Sequence, residues 1–109
     1  MFDVKKIQKD FPQLARKING KRIVYLDSTA TSLKPRQVLE KMNDYYTRYT
    51  ANVFRGIYTT SEEATAEFEK ARERIATFIG ASDSREVIFT RNTSESINVV
   101  AATWVADQI

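Results

Sequence analysis

Between Glu86 and Val105 the chain admits few arrangements other than a strand that feeds a helix. It opens with Val87, Ile88 and Phe89, a short apolar run of residues that suit a pleated strand. It then passes through small polar residues from Thr90 to Ser94. Beyond them Ile97, Val100, Ala101, Trp104 and Val105 recur every three or four residues and mark one face of a helix. A strand entering a helix through Asn92, Thr93 and Ser94 places free backbone N–H groups and hydroxyls at the helix N-terminus. Unpaired donors and the helix dipole both favour an anion there, most often a phosphate. The same residues also serve ordinary N-capping by Thr93 or Ser94, with Glu95 well placed in the first turn, and capping is the commoner use. The local pattern leaves both readings open.

Upstream, Asp3 can cap a first helix with Val4, Ile7 and Phe11 on one face, and Pro12 stops it. Asn19-Gly20 is the favoured pair for a tight type I′ turn, so a short hairpin is expected, with Arg22 to Leu26 as a largely buried second arm. The chain then turns small and polar from Asp27 to Ser32. Such residues let a ligand approach the backbone, although a plain Asx or Ser/Thr turn uses the same types. Pro35 fits the first turn of a second helix whose face carries Val38, Leu39, Met42, Tyr45, Tyr46 and Tyr49. Three tyrosines so close together cannot all enter one small core, so at least one faces another surface. Residues 51–59 form an irregular loop in which Arg55-Gly56 sets a guanidinium beside a flexible backbone point, suited to a carboxylate or phosphate. Thr60 and Glu63 have capping-box spacing, and Ala64, Phe68, Ala71, Ile75 and Phe78 form the stripe of a third helix that Gly80 can end. The expected fold class is α+β: an N-terminal helix, a short hairpin, two longer helices, then a strand–turn–helix, with residues 1–109 as a single unit.

Composition narrows the chemistry. There is no cysteine and no histidine, so disulfides, thiolate chemistry and the commonest general base and metal ligand are all missing, and no metal site is expected. Seventeen basic against fourteen acidic residues leave a net charge of +3 spread along the chain, which does not point to nucleic acid. No apolar run approaches membrane-spanning length, and the first residues lack the apolar core of a signal peptide, so a cytoplasmic protein is expected.

Three ordered segments resemble a known family. Leu26-Asp27-Ser28-Thr29-Ala30 after the Asn-Gly hairpin is similar to the "YLDNAAT" segment of class V aminotransferase-like enzymes. Arg55 to Thr65 looks like their "HRGIHTLSEEAT" segment, and Val87 to Asn98 like "VIFTRGTTEAIN". Asp10-Phe11-Pro12 is also similar. The branch it most resembles is the SUF-type cysteine desulfurase (or selenocysteine lyase), a pyridoxal 5′-phosphate (PLP) enzyme that takes sulfur from L-cysteine and leaves L-alanine. The resemblance runs over essentially the whole chain but covers only about the first quarter of such an enzyme, whose length far exceeds one domain.

The resemblance implies a piece of a fold type I PLP-dependent transferase, α/β in the full enzyme. It implies that Thr93 and Ser94 hold the cofactor phosphate and that Ser28, Thr29 and Ala30 line the substrate side. Arg55 and its loop would lie near the active site or the dimer interface. It also implies a homodimer, a sulfur-acceptor protein and a role in iron–sulfur cluster assembly. Phe54 and Tyr58 stand where the family has histidines, and Asn92 stands for a glycine, Asn being the residue other than glycine that best tolerates unusual backbone angles. The family's Schiff-base lysine, ring-stacking histidine, pyridine-nitrogen aspartate, persulfide cysteine and carboxylate-binding arginine all lie beyond residue 109. The chain alone is therefore expected to be inactive, with no catalytic residue of its own. Two readings from other classes stand beside this one: a small phosphate- or metabolite-binding domain, and a basic scaffold module.

Overall fold

The computed structural model describes residues 2–105. It falls into two compact units, Met1–Thr65 and Ala66–Ile109, with the division inside the longest helix.

In the first unit, helix α1 spans Val4–Gln8, and Asp3 caps it as expected, its carboxylate accepting from Lys6 N at 3.0 Å. The helix ends before Phe11, which instead leads into a 3-10 turn at Pro12–Ala15 with the proline in its first position. The Asn-Gly hairpin forms. Strands β1 (Lys17–Ile18) and β2 (Lys21–Arg22) pair antiparallel with Lys17 opposite Arg22. Asn19 and Gly20 sit at φ 51° and 76°, the left-handed pair that a type I′ turn requires.

The second arm does not extend as a buried strand. One further bond, Ile23 N to Arg16 O, continues the ladder, and then Val24 and Leu26 stand 78% and 90% exposed. A strand is buried only where a layer covers it, and no described element lies over this arm. Helix α2 runs Arg36–Asp44, with Pro35 as its N-cap, and continues into a π turn at Tyr45–Tyr49. The tyrosines divide as their spacing requires. Tyr49 is buried, Tyr45 is half-buried and packs edge-on against both neighbours, and Tyr46 is 68% exposed.

Helix α3 spans Thr59–Ile79 and starts two residues earlier than a cap at Thr60 would allow. Thr60 is already helical and so cannot take the extended N-cap conformation. The carbonyl of Tyr58 receives Ser61 N and Glu62 N instead. A capping box does form further along, at Asp83 and Glu86, around a 3-10 turn at Ser84–Glu86. The C-terminus of α3 ends as expected. Gly80 has φ 75°, Ala81 N reaches Ala76 O and Gly80 N reaches Thr77 O, the paired bonds of a Schellman motif.

The buried stripe of α3 is rotated from the expected one. Ser61, Ala64 and Ala76 are buried and Phe68 and Arg72 half-buried, whereas Phe78 is 90% exposed. In the second unit Phe68 meets Phe89 edge-on at 5.1 Å, and the Arg72 guanidinium lies over both rings. Arg72 also donates to Val87 O at 3.4 Å.

That contact explains the expected strand at Val87–Phe89. The segment is extended, yet no described strand pairs with it, so it is not a sheet strand here. In place of a ladder, the Val87 carbonyl accepts from Arg72 and the Phe89 ring packs on Phe68 of α3, while Val87 is buried and Ile88 exposed. Helix α4 follows at Thr93–Val100 and passes into a π turn at Ala101–Val105. The strand–turn–helix is thus an extended segment, a turn and a helix.

Candidate functional site

The six candidate residues lie on two loops and the first turn of a helix. Four belong to the first unit, on the turn after Asp27 and on the Arg55 loop, and two to the second, at the start of α4.

Ser28, Thr29 and Ala30 occupy a tight exposed turn. The carbonyl of Asp27 closes it, accepting from Ala30 N at 3.2 Å and from Thr31 N at 3.1 Å. The ordering of this turn thus comes from the Asp27 main chain. A second fastener is Tyr25, whose hydroxyl donates to Thr31 O and lies 3.2 Å from Asp27 O. The apolar company of Tyr25 in the Ile23–Leu26 run hid this role, since a tyrosine in such a run reads as core.

Arg55 is exposed on a loop held from α3. Ser61, fully buried, donates through Oγ to Asn52 O at 2.6 Å. Thr65 Oγ1 donates to Ser61 O at 2.7 Å and accepts from Phe54 N at 3.0 Å. Phe54, next to the arginine, has φ 68°, a left-handed conformation that costs a non-glycine residue free energy. Gly56 is required by closeness: a Cβ there would come within 2.5 Å of Ser61 Cβ and 2.6 Å of Tyr58 Cε1. Two hydroxyls on α3 and a missing side chain therefore shape the backbone that presents Arg55. Ser61 and Thr65 went unrecognised because an i, i+4 pair of small hydroxyl residues also reads as a plain helix start.

At the start of α4 the N-cap is Asn92, where the sequence offered Thr93 or Ser94 for the task. Its side-chain oxygen accepts from Glu95 N at 3.0 Å. The spacing Asn92-x-x-Glu95 carried that signal. Glu95 turns back to Arg91, accepting from the Arg91 backbone N–H at 2.5 Å and from its guanidinium at 3.0 Å. The guanidinium first and the backbone bond second hold the Glu95 carboxyl below its ordinary value. Thr90 and Ser96 join hydroxyls at 2.6 Å across the same turn. With capping assigned to Asn92, Thr93 and Ser94 are the first two helical residues, and both are exposed. Their amides precede the first recorded backbone bond of the helix, Ser96 N to Asn92 O, and so belong to the donors that a helix leaves unmatched at its N-terminus. Exposed hydroxyls beside such amides at a dipole's positive end suit a phosphate.

Residues 24–108, which contain all six candidates, match the family model described as Aminotransferase class-V. The chain belongs to the class-V aminotransferase family. Among its relatives in that family, it is 54% identical over 102 residues to a "Probable cysteine desulfurase" of Streptomyces coelicolor. It is 53% identical over 103 residues to one of Staphylococcus aureus strain Mu50. These alignments take in 93% and 94% of this chain but 24% and 25% of the relatives, so the chain spans about a quarter of their length. The solved apo structure of a cysteine desulfurase from Thermococcus onnurineus NA1 superposes with a TM-score of 0.78 at 44% identity, over 93% of this chain and 24% of that one. This class-V chain thus has the fold of one part of a cysteine desulfurase. No described helix is long and apolar enough to cross a membrane.

Proposed function

We propose that this class-V chain is the N-terminal part of a PLP-dependent cysteine desulfurase, a cytoplasmic homodimer as a whole enzyme. That enzyme would convert L-cysteine to L-alanine and pass a persulfide sulfur to an acceptor protein for iron–sulfur cluster assembly. The observation that carries the reading is the first turn of α4, where the exposed Thr93 and Ser94 follow a cap that Asn92 alone satisfies. A cap made by Thr93 or Ser94 would have used up one of those hydroxyls.

The residues present fit a phosphate. Thr93 and Ser94 would hold it through hydroxyls and first-turn amides. The charge of Glu95, which would oppose an anion, is matched by Arg91. PLP supplies, when bound, the electron sink for bond breaking at the amino acid. Ser28, Thr29 and Ala30 would line the substrate side, where small residues leave room beside the backbone. Arg55, which forms no ion pair among the described residues, would meet an anionic group of substrate or cofactor. Phe54 and Tyr58 supply no imidazole where the family has histidines, so proton transfer there is not assigned to this chain. None of its lysines matches the family's Schiff-base position, and the chain by itself is a binding wall without chemistry.

The test is titration of the purified chain with PLP and with inorganic phosphate, followed by amide NMR, and incubation with PLP and L-cysteine. The Thr93 and Ser94 amides should shift with both anions, and neither sulfide nor alanine should form. Shifts that avoid these amides would remove the phosphate site. Release of sulfide and alanine would overturn the claim of inactivity.

A further inference from the structure

A cavity of about 360 Å³ opens in the first unit, away from all six candidate residues. Phe11, Pro12 and Leu14 of the 3-10 turn and its approach give it apolar lining. Around them stand four cations, Lys5 and Lys9 from α1 and its end, Arg22 from β2, and Arg36 from the first turn of α2. No carboxylate lines the cavity, and among the described residues none of the four forms an ion pair. The fold thus brings four of the chain's seventeen basic residues, which are dispersed along the sequence, to one cavity. The start of α2 adds to it. Pro35 provides no side-chain cap, and there is no acidic residue in the first turn to offset the dipole. Arg36 N donates to Asp10 O at 2.6 Å, which pins that helix end beside the 3-10 turn.

We propose that this groove docks an acidic peptide segment of a partner protein, with an apolar side chain of that segment seated on Phe11, Pro12 and Leu14. Four unpaired cations concentrate negative charge and set the on-rate, while the apolar lining adds a contact that a bare polyanion cannot use. A nucleic-acid backbone would call for cations arrayed along a track, whereas these ring a single cavity. The groove shares no residue with the turns that carry the proposed phosphate and substrate contacts, so the two proposals fail separately.

The test is fluorescence anisotropy of the full chain with a labelled peptide alternating glutamate and leucine. The controls are a peptide with the leucines replaced by serine and a single-stranded oligonucleotide. The Glu/Leu peptide should bind several-fold more tightly than either control, and added salt should weaken it. Arg22→Glu with Arg36→Glu should lose that binding while circular dichroism stays unchanged. If that pair unfolds the chain, Lys5→Gln with Lys9→Gln, on an exposed helix, should weaken the peptide by a smaller factor. Equal binding of the serine peptide would remove the apolar anchor, and tighter binding of the oligonucleotide would reassign the groove to nucleic acid. Absence of peptide binding, or full affinity in a folded charge variant, would overturn the proposal.

Discussion

Phe54 shows how one residue's backbone can be held against its own preference. A left-handed φ at an aromatic residue persists only if its surroundings over-determine it. Here the Phe54 amide is tied to Thr65 Oγ1, which is fixed in turn by its bond to Ser61 O. Thr65→Val keeps shape and branching but removes the hydroxyl at both ends. It should destabilise the chain by about 1 kcal/mol, the usual net worth of such a bond. It should also accelerate hydrogen exchange at Phe54 far more than at amides in the middle of α3. Exchange at Phe54 that matches the parent would mean that the loop is set by Gly56 and Ser61 without Thr65. Arg55 follows Phe54 directly, so a loosened Phe54 would also blur where the guanidinium is presented.

At the scale of elements, α4 depends on charges that flank its cap. Glu95 is held below its ordinary pKa by the Arg91 guanidinium and, second, by the Arg91 backbone N–H. A carboxyl with a lowered folded-state pKa contributes stability that is complete above its unfolded pKa and is lost as pH falls through the folded value. Stability should therefore decline on acidification below the ordinary glutamate range. Glu95→Gln should lower stability at neutral pH and make that acid decline shallower, as read by denaturant titration at several pH values. An unchanged acid slope would show that the ion pair contributes nothing to α4. Asp83, lowered by Arg85 in the same direction, keeps part of the slope in either case. The hairpin in Asn19-Gly20 and the helix end at Gly80 were legible in the sequence because each is decided by neighbours in the chain, whereas the α4 cap, read there at Thr93 or Ser94, is made by Asn92 one residue earlier. The second hairpin arm and Val87–Phe89 were misjudged for the opposite reason. Apolar composition marks a segment as fit for burial, but a ladder and a covering layer come from elsewhere in a fold. The α3 stripe was rotated because Ser61, the residue buried most completely, is small and polar and is satisfied by Asn52 O. The candidate motifs were legible as sequence, whereas the clamps from Tyr25, Ser61 and Thr65 were visible only in three dimensions.

For the molecule as a whole, the balance between covered and uncovered apolar surface decides how it behaves in solution. Among the described residues the buried apolar ones are Tyr49 and Ala64 in one unit and Ala76 and Val87 in the other, two of the four being alanines. Large apolar side chains such as Leu26, Ile57, Phe78 and Trp104 stand mostly exposed. Many large apolar side chains left exposed are surface available for interaction, which agrees with a sequence spanning about a quarter of its relatives' length. Denaturant dependence scales with the surface that unfolding newly exposes, and here much of that surface is already in water. The isolated chain should unfold with an m-value well below that of a globular domain of equal length. It should also enhance the fluorescence of an apolar dye such as ANS under native conditions. A steep, cooperative transition without dye binding would mean that these faces are covered in solution, by self-association if the m-value and apparent stability rise with protein concentration. Sedimentation across a concentration series separates the two outcomes: a monomer with a shallow transition and bound dye is what the exposure of Leu26, Ile57, Phe78 and Trp104 requires.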